Sequence, residues 1–421
     1  MQEIFNQSPG TATVNVASSH EDAELSNEFS IARLDNNRLS AVRRKLREKQ
    51  YGACLLFDPY NQRWATGSRN MFLYFLRNAT RYIFIPIEGP VISFDYPGSS
   101  HVSLGVDTID ESRPAKLTWS AVQLQNLQRV SSFSGEIAAL MHEHLPGERR
   151  IAIDRCSLAV ARAMEAVGID VVEFQEDLIR LRMVKMPEEI ECLRRSMLAT
   201  EAAVEAVRDA IRPGISEQKL FGLMMGKLIE NGGDFIKTRL LSTGVRTNPW
   251  FNEASEYEVS AGDLIGLDTD AIGYNGYYAD ISRTFFCGPG KPSARQQSLY
   301  SMAYDQVQHN LSLIRPGMTF REIAEAAWNI PDRYLDQRYP SIVHGVGMHG
   351  EAPVVVHGND WDNFGMDGVI QEGMTLAVES YIGEPGGPDG VKLEEEVVVT
   401  RNGAALLSSF PFEDSLLVKQ V

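Results

Sequence analysis

The stretch LDTDAIGYNGYYADISRTF, Leu267 to Phe285, sets three aspartates, Asp268, Asp270 and Asp280, among apolar and glycine residues. An ionised carboxylate in apolar surroundings is costly unless something positive answers it. Asp268 and Asp270 stand two apart, so on a strand they project from one face. GYNG, Gly273 to Gly276, has turn chemistry, and YYADISRTF returns as a second strand. A hairpin there brings Asp280 back beside the first pair. Three carboxylates on one patch repel one another, and a bound metal ion removes that penalty. A solvated sheet edge would carry the same residues, so the hairpin alone leaves both readings open.

Segments further along weigh on that choice. HGVGMHGEAP (His344 to Pro353) offers a histidine in a glycine-rich run, where a lone imidazole is more often structural than a ligand. TLAVES (Thr375 to Ser380) places Glu379 behind an apolar run, and GVKLEEEVVVT (Gly390 to Thr400) sets Glu394, Glu395 and Glu396 in an evident strand. Periodicity does not choose among those three. Carboxylates with an imidazole suit a pair of hard or borderline divalent ions such as Fe, Mn or Zn, and not a thiolate site.

Around this hairpin the chain divides in two. RLDNNRLSAVRRKLREKQY carries apolar positions at helical spacing from Leu34 to Tyr51, and Gly52 reads as its cap. ACLLFDP, RYIFIPI and PVISFDY are short apolar runs closed by Pro, Gly or Asp, as strands are. Residues 34–178 therefore read as an α/β domain without chemistry of its own, and 179–421 as the domain that bears the carboxylates. PEEIECLRRSMLATEAAVEAVRDAI forms a long amphipathic helix from Pro187, with Glu188 and Glu189 in its first turn. It ends at IRPGIS, Ile211 to Ser216, and IRPGMT recurs at Ile314 to Thr319, 103 residues on. Each phrase stops a helix at Pro-Gly and offers Ser or Thr to cap the next. The repeat points to an internally duplicated domain, although helix punctuation alone can also produce one such phrase.

Composition excludes several classes. The 421 residues are 43% hydrophobic, enough for substantial cores, and the net charge is −16. With a pI near 5.0 and no basic block, nucleic acid is not an expected partner. Cys54, Cys156, Cys192 and Cys287 are scattered, as thiols of a reducing compartment are. No apolar run reaches the length of a membrane span, and residues 1–33 form a polar arm without secretory character. A cytoplasmic protein is the expectation.

The order Asp…Asp…His…Glu…Glu resembles metallopeptidase family M24, the creatinase/aminopeptidase P or pita-bread group, from about residue 35 to the end. The resemblance implies a creatinase-like N-terminal domain and a pseudo-twofold, duplicated pita-bread catalytic domain, an α/β (α+β) fold that pairs as a homodimer. It implies two divalent transition-metal ions, iron first and Mn or Zn next, on Asp268, Asp280, His344, Glu379 and Glu394. Asp280 and Glu394 would bridge them.

Two accessory histidines of the family's peptidases are absent at their usual places, where Trp250 and Phe251 and the neighbourhood of Gly350 stand instead. DTD, TRLL with RTNPWF, Tyr339 five residues before His344, and SFPFEDSLL look like the dimethylsulfoniopropionate lyase (DddP) branch. That branch adds Asp270 to the ligands and implies β-elimination of a small onium carboxylate to dimethyl sulfide and acrylate. Aromatic faces suit a sulfonium cation. Trp250, Phe251 and Tyr339 are the candidate substrate contacts, with Tyr277, Tyr278 and Trp361 further aromatics, any of which also suits core packing. The branch places a catalytic Asp six residues after the metal-binding His, and this chain has Gly350 there. His349, Glu351 or Tyr339 would have to serve, so His349 and Tyr339 stand as candidate catalytic residues. A Xaa-Pro peptidase or amidase-type metallohydrolase is the alternative, and a retired binding domain the third reading.

Overall fold

The computed structural model describes residues 29–78, 80–116 and 127–418. Nearly all of the predicted polar arm lies outside them. The described residues form two compact units that divide between Glu188 and Glu189.

The N-terminal unit runs α1 (Ile31–Lys49), β1 (Ala53–Leu56), α2 (Pro59–Thr66), α3 (Phe72–Arg77), β2 (Tyr82–Pro86), β3 (Ile92–Asp95), β4 (Glu111–Pro114), α4 (Leu127–His144), β5 (Arg150–Ile153), α5 (Leu158–Ala166), β6 (Asp170–Glu173) and α6 (Gln175–Met183). Its strands make one six-stranded sheet in the order β4-β3-β2-β1-β5-β6. The first helix differs from expectation at both ends. Ser30 caps it by accepting from the Arg33 N–H, and the helix starts at Ile31, three residues before Leu34. Gln50, at φ 58, closes it in the left-handed conformation, so Gly52 is not the cap. The core includes packed rings: those of Tyr82 and Phe94 stack 4.6 Å apart, with Phe133 edge-on to Tyr82.

The C-terminal unit begins within α7 (Pro187–Ala210) and continues α8 (Glu217–Glu230), β7 (Phe235–Ile236), β8 (Leu241–Thr243), β9 (Leu264–Asp268), β10 (Ala271–Ile272), β11 (Tyr278–Ala279) and β12 (Ser282–Phe286). A second run follows: α9 (Ala294–Leu313), α10 (Phe320–Ala326), β13 (Ser341–Val346), β14 (Gly350–Val356), α11 (Trp361–Phe364), β15 (Thr375–Gly383), β16 (Gly390–Thr400) and β17 (Gly403–Leu406). The two Pro-Gly phrases do the same work in each run. Ser216 caps α8 through the Lys219 N–H, and Thr319 caps α10 through the Glu322 N–H. Each phrase also makes an isolated antiparallel bridge, Ser216 to Glu258 and Thr319 to Val369. A long helix, a capped shorter helix and antiparallel strands thus occur twice in one order.

The strands lie in sheets β12-β9-β8, β11-β10-β7 and β14-β13-β15-β16-β17. The chain end closes over α7, where Glu201 accepts from the Ser408 hydroxyl and the Phe410 N–H, both at 2.9 Å. Among the described residues no helix is long and apolar enough to cross a membrane.

Candidate metal centre

The aspartate stretch folds back on itself as its turn chemistry requires. Ser282 of β12 pairs with Asp268 of β9, and further out Ala279 pairs with Ala271. Between the two ladders, Thr269 Oγ1 accepts from the Ile281 N–H at 2.9 Å and donates to the Ala279 carbonyl at 3.0 Å. Asp280 is thereby fixed at the crossing, and its own N–H donates to Glu396 Oε2 at 2.9 Å.

His344 comes from β13, which pairs with β15, and Glu379 of β15 stands opposite Glu394 of β16. These residues converge. His344 Nε2 lies 3.4 Å from Glu394 Oε1, 3.5 Å from Asp280 Oδ2 and 3.7 Å from Glu379 Oε1. Its Nδ1 is 3.0 Å from the Gly345 carbonyl, an acceptor only, so Nδ1 carries a proton and Nε2 faces the carboxylates.

Alternation on β16 separates the three glutamates that periodicity left open. Glu394 faces His344, and Glu396 on the same face supports Asp280. Glu395 points away to Arg283, whose Nη2 donates to it at 2.6 Å. That guanidinium also donates to the Glu394 and Phe410 carbonyls and lies 4.4 Å from the Phe412 ring.

Two of the six sequence candidates sit differently. Asp268 meets this group through Lys392, whose Nζ is 3.6 Å from Asp268 Oδ2. Asp270 has φ 40 and accepts from the Thr238 and Tyr278 hydroxyls, one on each oxygen. Lys392 was not anticipated from sequence. It is fully buried, and its ammonium contacts Glu379 Oε2 at 3.0 Å, Glu394 Oε2 at 3.0 Å and Ser282 Oγ at 2.9 Å. The signal existed: a lysine in an apolar strand, two residues before Glu394 and so on its face.

The charges are far from balanced. Burial, opposed at Asp268 by Lys392, pushes Asp268 and Asp280 well above the usual carboxylate range, and the Glu394 charge adds to this. Against its own burial, Glu394 is held well below that range by Lys392 and His344. Burial would lower His344, yet Glu394 and Glu379 raise it to about 9. Oδ1 of Asp268 and Oδ1 of Asp280 are buried without a hydrogen-bond partner, and Glu394 Oε1 has only His344 Nε2, 3.4 Å away. Buried acceptors are rarely left so, and a cation answers them. Asp280, His344 and Glu394 offer ligand atoms within 4.8 Å of one another, a donor set that fits a divalent transition metal.

Beside this group lies an aromatic wall. Trp250 is buried against Tyr381, with ring centroids 6.0 Å apart. Phe251 is 56% exposed at φ 69, its ring 5.5 Å from that of Tyr339. The loop is held firmly: Asn248 donates to the Glu384 and Gly387 carbonyls, and Tyr381 donates to the Thr247 carbonyl. The remaining aromatics make other contacts, Tyr278 through its hydroxyl on Asp270. Tyr277 donates to Glu189 at 2.8 Å, and Trp361 lies under Arg321.

A Cβ placed on Gly350 would lie 3.8 Å from Cε1 and Nδ1 of His344, so this position faces the imidazole. Glu351, next along β14, faces elsewhere, its Oε1 accepting from the Met348 N–H at 3.1 Å. His349 Nδ1 lies 2.5 Å from the Gly350 carbonyl. Burial, with the charge of Glu379, pushes the Tyr339 phenol far above its ordinary value, while Lys392 pulls the other way.

A carboxylate and imidazole centre on a twice-repeated α/β frame defines a metal-dependent enzyme of the pita-bread class. The pattern of metallopeptidase family M24 matches residues 191–401, that of the creatinase/prolidase N-terminal domain matches 38–184, and the chain belongs to family M24. It is 33% identical over 376 residues to the dimethylsulfoniopropionate lyase DddP of Roseovarius nubinhibens, covering 88% of this chain and 84% of that protein. It is 31% identical to the DddP of Roseobacter denitrificans, over 93% and 90% of the two chains. The Xaa-Pro dipeptidase of Pyrococcus furiosus is 29% identical over 57% of this chain and 68% of its own. In fold the protein is similar to a Xaa-Pro dipeptidase from Bacillus anthracis, with TM-score 0.72, 21% identity, and 90% and 99% of the chains covered.

Proposed function

We propose that the protein is a metal-dependent lyase that acts on dimethylsulfoniopropionate or a related small carboxylate bearing an onium group. The observation that carries this reading is the convergence of Asp280, Glu379 and Glu394 on His344 Nε2, in a chain 33% identical to a lyase of that kind. Asp268, Asp270, Asp280, His344, Glu379 and Glu394 would hold two divalent ions, iron first. Bound there, they would supply Lewis acidity toward the substrate carboxylate and so acidify its Cα proton. Removal of that proton lets its electron pair form the Cα–Cβ double bond as the Cβ–S bond breaks, and the sulfur leaves with the bonding pair as dimethyl sulfide.

The chain's own groups then have distinct parts. Lys392 already lies 4.5 Å from the Tyr339 ring centre, so the exposed Phe251 ring is the aromatic surface open to a sulfonium group. Gly350 supplies no base toward His344, and Glu351 faces away. Tyr339, whose ring lies 4.5 Å from the Lys392 ammonium, is the group we assign to the Cα proton; burial and the neighbouring carboxylates hold its phenol protonated, and bound divalent ions offsetting those charges would be needed to release it as a base.

The test is headspace detection of dimethyl sulfide from metal-loaded protein, beside a panel of Xaa-Pro dipeptides. Sulfide release that Tyr339→Phe abolishes, and His349→Ala leaves intact, is the expected result. Dipeptide cleavage without sulfide would overturn the lyase reading in favour of the metallohydrolase, the activity named for the Pyrococcus furiosus relative.

A further inference from the structure

We infer that Lys392 is a positioning residue that fixes how Glu379 and Glu394 orient their carboxylates toward a metal ion. The inference rests on the metal reading above and adds to it a role for a residue that is not itself a ligand. Three things fix the ammonium where it is. Lys392 lies two residues before Glu394 on β16, so both side chains leave the same face. Its backbone is tied to the neighbouring sheet: its N–H donates to Thr284 Oγ1 at 3.2 Å, and Thr284 Oγ1 donates back to its carbonyl at 2.9 Å. The Tyr339 ring lies 4.5 Å from Nζ, a cation–π contact.

An ammonium has three N–H donors and no acceptor. Here all three are engaged, on Ser282 Oγ, Glu379 Oε2 and Glu394 Oε2. No donor remains for a substrate, so Lys392 does not act by binding one. What it does is to occupy the same oxygen, Oε2, on both glutamates. Their other oxygens, Oε1, are the ones turned toward His344 Nε2, at 3.7 and 3.4 Å. Ser282 reinforces this orientation at Glu394 by donating to Oε2 at 2.7 Å. Ser341 steadies Glu379 from the other side, donating to Oε1 at 2.8 Å.

A cation that merely offset the carboxylate charge would predict the opposite of a cation that orients them. Removing a positive charge beside a dication site leaves the site more negative and, by Coulomb attraction alone, binds the dication more tightly. Removing a positioning residue frees both glutamates to rotate, and partners of this kind typically contribute 10–100-fold to metal affinity. The experiment is titration of the metal-free full-length protein with Co²⁺, read by calorimetry and by the visible d–d absorption of the bound ion.

Lys392→Met is expected to weaken Co²⁺ binding about 10-fold or more and to change the position or intensity of the absorption bands. Equal or tighter binding with an unchanged spectrum would overturn the inference. Ser282→Ala, which alters no charge, keeps the question open to experiment should Lys392→Met fail to fold. It is expected to weaken binding by a smaller factor with a spectral change, and wild-type affinity and spectrum in that variant would overturn the inference equally. A wild-type chain that takes up no Co²⁺ would remove the metal reading itself, a different failure from either variant's.

Discussion

Each unit buries acids, and Asp95 and Asp154 of the N-terminal unit are answered differently from those around His344. In the N-terminal unit, Arg81 donates to Asp95 at 2.9 Å and also to Gln62, Ser68 and Ser93. The second oxygen of Asp95 accepts from Ser112 at 2.6 Å. Asp154 accepts from the Phe57 and Asp58 N–H groups and from Asn61. Each of these two acids is answered by its own chain. In the C-terminal unit the cluster around His344 leaves Asp268 and Asp280 with one unanswered buried oxygen apiece. A buried network whose acceptors are all answered is architecture, whereas one in which Lys392 and His344 still leave carboxylate oxygens unanswered calls for a cation brought from outside.

The strongest way to break this contrast is to remove a residue from the unbalanced cluster. Asp280→Ala and His344→Ala should each lose bound metal and all turnover above background, as elemental analysis and sulfide release would show. Retained metal in both would erase the distinction between the units. Gly350→Asp should sharpen it from the other side. The position has ordinary space toward His344, and a carboxylate there would add a second base to Tyr339, so sulfide release should rise, though by less than the about 10²–10⁴-fold that a sole general base contributes.

Next in size is the balanced network. Arg81→Met strands Asp95 without its cation and should lower unfolding free energy by about 3–5 kcal/mol in denaturant titration. Metal content per folded chain should not change, and a fall in it would show that the two networks are not independent.

Acidity distinguishes the clusters more gently. A group whose folded pKa is raised stabilises the fold at low pH and loses that contribution as pH climbs. Burial, opposed by Arg283, raises Glu395 from 4.5 to about 7, and the carboxylates raise His344 from 6.5 to about 9 against its burial. Glu394, depressed, stays ionised across this window and adds no slope. Melting of the metal-free protein should therefore fall steadily between about pH 5 and 9. Saturating metal should flatten the curve, and parallel curves would count against a shared site. Smallest of all, Phe251→Leu should raise KM a few-fold (roughly a single cation–π contact) with kcat unchanged.

Much of this centre is legible in the chain itself, because hairpin geometry is local. Asp268 to Asp280 spans one turn, and the period of two on β16 is a property of strands. What sequence left open among Glu394, Glu395 and Glu396 depended on partners 112 and more residues away, Ser282, Arg283 and Asp280. Lys392 carries no such signal as a ligand, because an ammonium does not bind a metal. Its meaning appears only when β12 and β16 are side by side. The cap of α1 was misjudged for a plainer reason: Gly52 was the expected left-handed residue, yet Gln50 takes that conformation.

The carboxy-terminal clasp has a practical consequence. Glu201 grips Ser408 and Phe410, and Arg283, which braces the carbonyl of Glu394, rests against Phe412. Handling of that end is therefore not innocent. A shortened gene product that stops before Ser408, or a purification tag fused so as to pull this segment away, would unseat Arg283 from behind the very strand that presents Glu394, and the damage would be felt as a poorly metallated preparation.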